Sequence, residues 1–347
     1  MSSAICLVWP KNDGVFVAMS ASFNLGALFL LVAAGVGEPQ LERFQDARVH
    51  MGTSFQIVVY AANESEAAAA FERAFSRIAA LDDLLSDYKP ESEVSRLSAA
   101  SPTRRTVDID LFAVLARAQH FSRLTDGAFD ITVGPLTKLW RRARRRKQLP
   151  DHALLAEARQ AVGYLFMKLT NDERTVELTR PNMRLDLGGI AKGYAADQAK
   201  EAMRRLGVTR VLINAGGDVV TGDPPPGQPG WRVGVAPLDT RKPPSQVLLV
   251  QNVAVATSGD AWQFVELNGK RYSHIIDPLT GLGLTDRSSV TVIARDGTTA
   301  DALASALSVM GVERGMPFIN ALPNVEAIMV RIENGQAKSH TSKWGGN

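Results

Sequence analysis

The chain has 347 residues, 45% hydrophobic and 22% charged, which is enough for a large core in one domain or two intimate lobes. A formal net charge of +3, from 39 Lys and Arg against 36 Asp and Glu, is too small at this length to argue for nucleic-acid binding. The one cysteine, Cys6, excludes an intrachain disulfide and a cysteine metal site, and its place near the terminus removes it from candidacy as a catalytic thiol.

Residues 25–36, Leu-Gly-Ala-Leu-Phe-Leu-Leu-Val-Ala-Ala-Gly-Val, form an apolar run of signal-peptide length, with Lys11 upstream and polar Glu38-Pro39-Gln40 behind it. The run is short for a membrane span, so residues 1–38 read as a leader and the protein as exported to the periplasm. An uncleaved inner-membrane anchor through 25–36 is the alternative. No cysteine follows the run, which argues against a lipid-anchored form. Residues 39–347 read as a single domain.

Arg43–Tyr60 alternates like antiparallel strands. Apolar positions at Ala69, Phe71, Phe75, Ile78, Leu81 and Leu85 predict a helix over 64–85, ended by Ser86-Asp87-Tyr88-Lys89-Pro90. A second helix is expected over 111–125, stopping at Asp126-Gly127, followed by a short apolar element, Ala128–Pro135, with Asp130 embedded. The basic run Arg141–Lys147 after Trp140 reads as a solvated helix face, and 151–162 as another helix. A hairpin is expected over 174–187, a helix from about Gly189 to Gly207, and a strand at Val211–Asn214 opening into Ala215–Asp218. The Pro/Gly-rich stretch 223–230 is a loop. Strands follow at 231–236, 247–257, 262–267, 271–276 and 288–294, then a helix over 300–310 closed by Gly311, then strands at 326–332 and 336–340. The pattern is α+β, mixed and mostly antiparallel, with helices packed on the sheets.

Two segments carry the strongest chemistry. Leu185–Asp197 gathers Gly188, Gly189 and Gly193, Lys192, and Asp186 and Asp197 around a helix start, where backbone N–H groups can meet phosphate. Asp301 and Ser305 stand one turn apart on a helix, so their oxygens share a face and suit a hard cation such as Mg²⁺. Each has a bland counterpart: glycines also permit close helix packing, and an aspartate in a first turn also satisfies the helix dipole. Lys192 can pair with Asp186 or with a substrate phosphate. Asn214–Asp218 is a strand-end loop or a plain turn, and Thr257-Ser-Gly-Asp260 a tight turn able to position substrate. His274 is the best general-base candidate among the five histidines, and no G-x-S-x-G elbow supports a serine hydrolase.

Taken together, Met51-Gly-Thr, Ser86–Pro90 with Ser92–Leu97, Gly127–Pro135, Leu185–Asp197, Asn214–Asp218, Thr257-Ser-Gly, His274–Gly281 and Ala300–Ser305 resemble the ApbE family of flavin transferases, in the family's order. The resemblance implies an ApbE, T-fold-like architecture of two intimate lobes with the active site between them. It implies that FAD is cut at its pyrophosphate, that FMN passes to a threonine or serine hydroxyl of a partner protein, and that AMP leaves. By position, Gly189 through its carbonyl, Asp301 and Ser305 would hold Mg²⁺. Met51, Tyr88, Ala128, Phe129, Asp130, Asp186, Lys192 and the backbone near Ile275 would contact FAD, with Tyr88 and Phe129 suited to stacking. His274 would lie beside the reacting phosphate, with His274 or Asp301 taking the acceptor's proton. Ser305 stands where the family often has threonine. Exported or membrane redox-complex subunits are the acceptors the resemblance implies, and no nucleic acid. An Mg²⁺-dependent FAD pyrophosphatase and a flavin-binding protein without turnover are the alternatives.

Overall fold

The computed structural model describes residues 40–343 apart from 240, 241, 245, 261 and 262; the leader 1–38, with its apolar run, lies outside the described residues. In chain order the elements are β1 (Glu42–His50), β2 (Thr53–Ala61), α1 (Glu64–Leu85), α2 (Glu93–Ala99), β3 (Thr103–Thr106), α3 (Ile109–Leu124), α4 (Gly134–Arg146) and α5 (His152–Gln160). Then come β4 (Met167–Thr170), β5 (Thr175–Leu178), α6 (Ala191–Arg204), β6 (Val211–Ala215), β7 (Asp218–Thr221), β8 (Trp231–Val235), β9 (Gln246–Val250) and β10 (Ala254–Gly259). The chain continues with β11 (Phe264–Leu267), β12 (Lys270–Ser273), β13 (Ser288–Ala294), α7 (Gly297–Asn320), β14 (Glu326–Glu333) and β15 (Gln336–Thr341).

The fold is α+β. Its spine is an eight-stranded antiparallel sheet in the order β1-β2-β6-β7-β10-β13-β14-β15. Successive side chains of a strand leave opposite faces, and both faces of this sheet are covered. Phe55, Ile57 and Val59 of β2 enter the main core with Phe71, Phe75 and Ile78 of α1, Ala195 and Ala199 of α6, and Leu303 and Leu307 of α7. Val58, pointing the other way, joins Leu212, Val219, Trp231, Val233 and Leu248 beneath the β8–β9 hairpin. The central strands β6, β7 and β13 are therefore buried at every position, unlike those of a one-sided sheet.

The smaller side of the molecule holds the β3-β5-β4 sheet and the α4–α5 pair, where Leu136, Trp140, Ala143 and Ile276 make a separate cluster. Trp140 fixes the loop after β12 by donating its indole N–H to the Gly281 carbonyl at 2.8 Å, and its ring meets Tyr272 at 5.0 Å. Arg159 of α5 donates to the Leu279 carbonyl at 2.6 Å.

Several expectations need correction. Residues 184–187 form no hairpin with 175–178; β5 pairs with β3 and β4 instead, and Arg184 keeps one isolated bridge to Val133. The apolar alternation in 247–257 runs through a break at Asn252 (φ +52°), which divides it into β9 and β10. Thr257–Gly259 is the end of β10, not a turn, and Thr257 Oγ1 lies 2.9 Å from Thr291 Oγ1 across the ladder. Gly311 does break the last long helix (φ +70°), yet helical backbone resumes and runs to Asn320. The helix expected from Gly189 starts at Ala191, after a turn through Gly188–Ile190.

α6 and α7 cross at glycine. A Cβ on Gly297 would stand 2.8 Å from the Gly193 carbonyl oxygen, and one on Gly193 would overlap the Gly297 carbonyl. Overpacking of this kind costs about 1–3 kcal/mol. Gly193→Ala is therefore expected to lower the melting temperature by several degrees and to push α7 off α6, which thermal unfolding and activity of the same preparation will report. An unchanged melting temperature would mean that the crossing tolerates a methyl group.

Candidate active site

Asp197 of α6 holds the start of α7. Its Oδ1 accepts from Gly297 N at 2.7 Å, and its Oδ2 from Thr298 N at 2.9 Å and Thr298 Oγ1 at 2.6 Å. Asp296 adds an N-cap, accepting from Thr299 N at 2.8 Å. With the helix anchored there, Asp301 faces α6 and takes Gly193 N at 3.3 Å and Lys192 Nζ at 3.5 Å, while Lys192 also pairs closely with Asp218 at the start of β7. The glycine loop before Asp218, Gly216-Gly217, folds back with Gly217 N on Asn214 Oδ1 at 2.9 Å.

Two carboxylates thus share one ammonium in a nearly dry place, Asp218 being 4% and Asp301 5% exposed. Burial pushes the Asp301 carboxyl up to about 7; the charge of Asp218 adds to the rise and that of Lys192 opposes it. For Lys192 burial alone would lower the pKa, but the charges of Asp218 and Asp301 outweigh it and hold the ammonium above its ordinary value. The cluster is short of positive charge.

That deficit is the test of a metal. Among the described residues Ser305 Oγ makes no hydrogen bond, although a helical serine commonly donates to the carbonyl four residues back, as Ser308 does to Ala304 at 2.9 Å. A Cβ on Gly189 would stand 2.8 Å from that hydroxyl and 3.3 Å from Phe129, so only glycine leaves the space beside Ser305 open. An under-satisfied carboxylate, a spare hydroxyl and an adjacent bare backbone are hard oxygen donors of the kind Mg²⁺ accepts. The residues fit the ion.

His274 follows β12. Its backbone N–H donates to the Gln263 carbonyl at 3.0 Å, and Nδ1 lies 3.1 Å from the same oxygen. A carbonyl can only accept, so the neutral ring carries its proton on Nδ1 and leaves the Nε2 lone pair available. Surrounding protein desolvates the ring and lowers its pKa, with the charges of Arg144 and Lys192 working in the same direction, while the residue as a whole is exposed. Ile275 N is turned inward onto Ser273 Oγ at 3.1 Å.

Asp186 does not pair with Lys192. It belongs to a second charge cluster in which Arg141 of α4 donates to Asp186 Oδ2 at 2.9 Å and to Asp87 Oδ2 at 2.6 Å, with Gly188 N on Asp186 Oδ1 at 2.9 Å. The Arg141 guanidinium also lies 4.2 Å from the Tyr88 ring centre, and Tyr88 is 71% exposed. One position of the basic run is therefore a half-buried structural cation. An open pocket of about 230 Å³ here is lined by Asp87, Tyr88, Lys138, Arg141, Arg145 and Arg184.

The other residues expected to contact the flavin lie on several elements. Met51 sits with Gly52 in the tight β1–β2 turn (φ +50° and +73°) and packs on the main core. Ala128 and Phe129 are buried; the Phe129 ring meets Phe121 edge-on at 6.3 Å, so it packs rather than offering an open stacking face. Asp130 spends its oxygens internally, accepting from Thr132 N and Oγ1 and from Tyr164 N at 2.7–2.8 Å. Asp260, read from sequence as part of a substrate-positioning turn, is buried against Arg271. Sequence reasoning missed Arg141, hidden within a run of arginines, and the partnership of Asp218 with Lys192, whose only signal was a Gly-Gly-Asp strand end.

The chain is similar to known proteins over most of its length. The ApbE family model matches residues 51–329. The FAD:protein FMN transferase of Treponema pallidum is 32% identical over 311 residues, covering 85% of this chain and 86% of the relative; one from Klebsiella pneumoniae is 34% identical over 288 residues, covering 81% and 87%. Among solved structures, the flavin transferase ApbE from Vibrio cholerae superposes with a TM-score of 0.79 at 28% identity, covering 87% of this chain and 98% of that one. The ApbE protein of Thermotoga maritima gives 0.77 at 30% identity, covering 87% and 97%.

A raised folded pKa means that the Asp301 carboxylate opposes folding. Its unfolded value is about 3.9, so without metal this opposition grows as pH rises from about 4 and is complete above about 7. Asp301→Asn in EDTA at pH 8 is therefore expected to melt about 2–4 °C above the parent, with the gain vanishing near pH 4. A variant that melts lower at pH 8 would contradict the charge deficit.

Proposed function

The chain belongs to the ApbE family, and from that premise we propose that it is an Mg²⁺-dependent FAD:protein FMN transferase that modifies a threonine or serine hydroxyl of an acceptor protein. The observation that carries the metal part is the pairing of a buried carboxylate with a pKa of about 7 with a serine hydroxyl that has no partner among the described residues, on one helix face beside Gly189. Asp301, Ser305 and the Gly189 carbonyl would hold the ion. When bound, Mg²⁺ supplies charge neutralisation for a pyrophosphate.

The chain's own residues account for the rest. Lys192, kept protonated by Asp218, sets a fixed positive charge beside the place where phosphate charge develops. Tyr88 offers one exposed ring face to a planar group, its orientation supported by Arg141. The acceptor oxygen attacks the phosphorus on the FMN side, the bond to the AMP phosphate breaks, and the acceptor's proton passes to His274 Nε2, whose availability the Gln263 carbonyl secures. AMP leaves and FMN stays on the acceptor through a phosphoester. Residues 25–36 fit an export signal, and exported or membrane redox subunits would be the acceptors in keeping with it.

Incubation with FAD, Mg²⁺ and an acceptor domain is expected to give flavin fluorescence that survives denaturation, with one AMP released per label. EDTA and Asp301→Ala are each expected to reduce labelling at least about 10³-fold, the scale of removing a transition-state charge stabiliser. Appreciable labelling under either condition would remove the metal assignment. AMP and free FMN without labelled protein would instead mark a pyrophosphatase, and no AMP a flavin-binding protein.

A further inference from the structure

His274 is delivered by a hairpin that has little core of its own. β11 and β12 form a separate two-stranded sheet, closed by a turn at Asn268-Gly269 with both residues at positive φ (+51° and +73°). Each strand has four residues, and only Leu267 of the first and Ser273 of the second are buried. A two-stranded hairpin is marginally stable by itself, so its position is set by its tethers. Tyr272 meets the Trp140 ring at 5.0 Å, and Ser273 N donates to the Leu284 carbonyl at 2.7 Å.

A third tether is ionic. Arg271 Nε donates to Asp260 Oδ2 at 2.5 Å and its Nη2 to the Asp260 carbonyl at 2.8 Å, while the guanidinium carbon stands 3.2 Å from the centre of the Phe264 ring. Asp260 is 3% exposed and is locked to the start of β13: its N–H donates to the Ser288 carbonyl, and its Oδ1 accepts from Ser288 N, each at 3.3 Å. Glu266, opposite Arg271 in the hairpin, is a looser partner at 3.9 Å. Such a pair adds little net stability, because desolvation of both charges offsets most of their attraction. Its effect is directional. A guanidinium that donates to the carboxylate and the carbonyl of one residue, with a ring against its face, has a single orientation.

We propose that Arg271 and Asp260 are positioning residues for His274: their pair sets the hairpin against β13, so that the Gln263 carbonyl before β11 meets His274 Nδ1 after β12 and the Nε2 lone pair stays free for the acceptor's proton. The inference rests on the reading of His274 as the base. Neither Arg271 nor Asp260 touches the reacting atoms.

The test uses the full-length protein labelled with ¹⁵N-histidine, together with the FMN-transfer assay. In the parent the His274 ring is expected as the Nδ1–H tautomer, identified by the signal that His274→Gln removes. Arg271→Met is expected to give a mixture of tautomers and to speed exchange of that ring proton with water at least about tenfold. It should lower kcat for transfer about 10–100-fold, with the KM for FAD within about twofold of the parent. Arg271→Lys keeps the charge without the fork and should recover part of both effects. Asp260→Asn/Arg271→Met leaves no unpaired buried charge, so it keeps the fold if Arg271→Met does not, and it should show the same mixed tautomers and low kcat. A merely structural pair would change the melting temperature and leave tautomer, exchange rate and kcat as in the parent; that result in the folded variant would overturn the proposal. Transfer at the parent's rate by His274→Gln, with the His274 ring still altered by Arg271→Met, would remove the base assignment and leave the positioning of the ring standing.

Discussion

Everything at the site depends on how closely α6 and α7 approach. Gly193 and Gly297 let the two backbones touch, and no other residue pair would allow it without overlap. That approach lets Asp197 of one helix cap the other, and it brings Gly193 N to Asp301 Oδ2. The motif Leu185–Asp197 is therefore mostly a docking device. Its glycines, its last aspartate and its lysine are three ways of fixing the position of a helix whose next turn carries Asp301 and Ser305.

The site so assembled is electrostatically incomplete by construction. Two buried carboxylates on one ammonium leave a residual negative charge where water cannot screen it. A protein selected only for stability would gain by neutralising Asp301. A cation bound there, as the proposed function has it, would recover the stability that the uncompensated charge costs. Burial, which makes the carboxylate costly, also makes it a stronger ligand than an exposed aspartate.

The opposite wall is built differently, from a smaller core and long side chains. Trp140 and Arg159 pin the loop after β12, while Arg141 ties α4 to Asp87 and Asp186. His274 hangs between these supports, oriented by a backbone carbonyl that no side-chain substitution can remove. One side of the site is thus set by helix–helix contact and the other by hydrogen bonds to loops. The second arrangement is the easier one to open for a large substrate.

The sequence by itself determined the α+β class, most elements and the residues in which the chemistry is concentrated, because hydrophobic periodicity, caps and glycines act over a few positions. It erred where a local pattern had two solutions. The apolar alternation of 247–257 continues through a turn, and 184–187 has strand composition but forms a single isolated bridge, from Arg184 to Val133, among the described residues. Pairings across the fold were beyond it: Lys192 with Asp218 and Asp301 rather than Asp186, Arg141 with Asp87 and Asp186, Phe129 turned into the core. These partners stand tens of residues apart along the chain, and charge alone makes every acid a candidate for every base. Only the packing of α6 on α7, and of α4 on the loop before α2, limits each cation to the acids within about 4 Å, the range in which an ion pair forms.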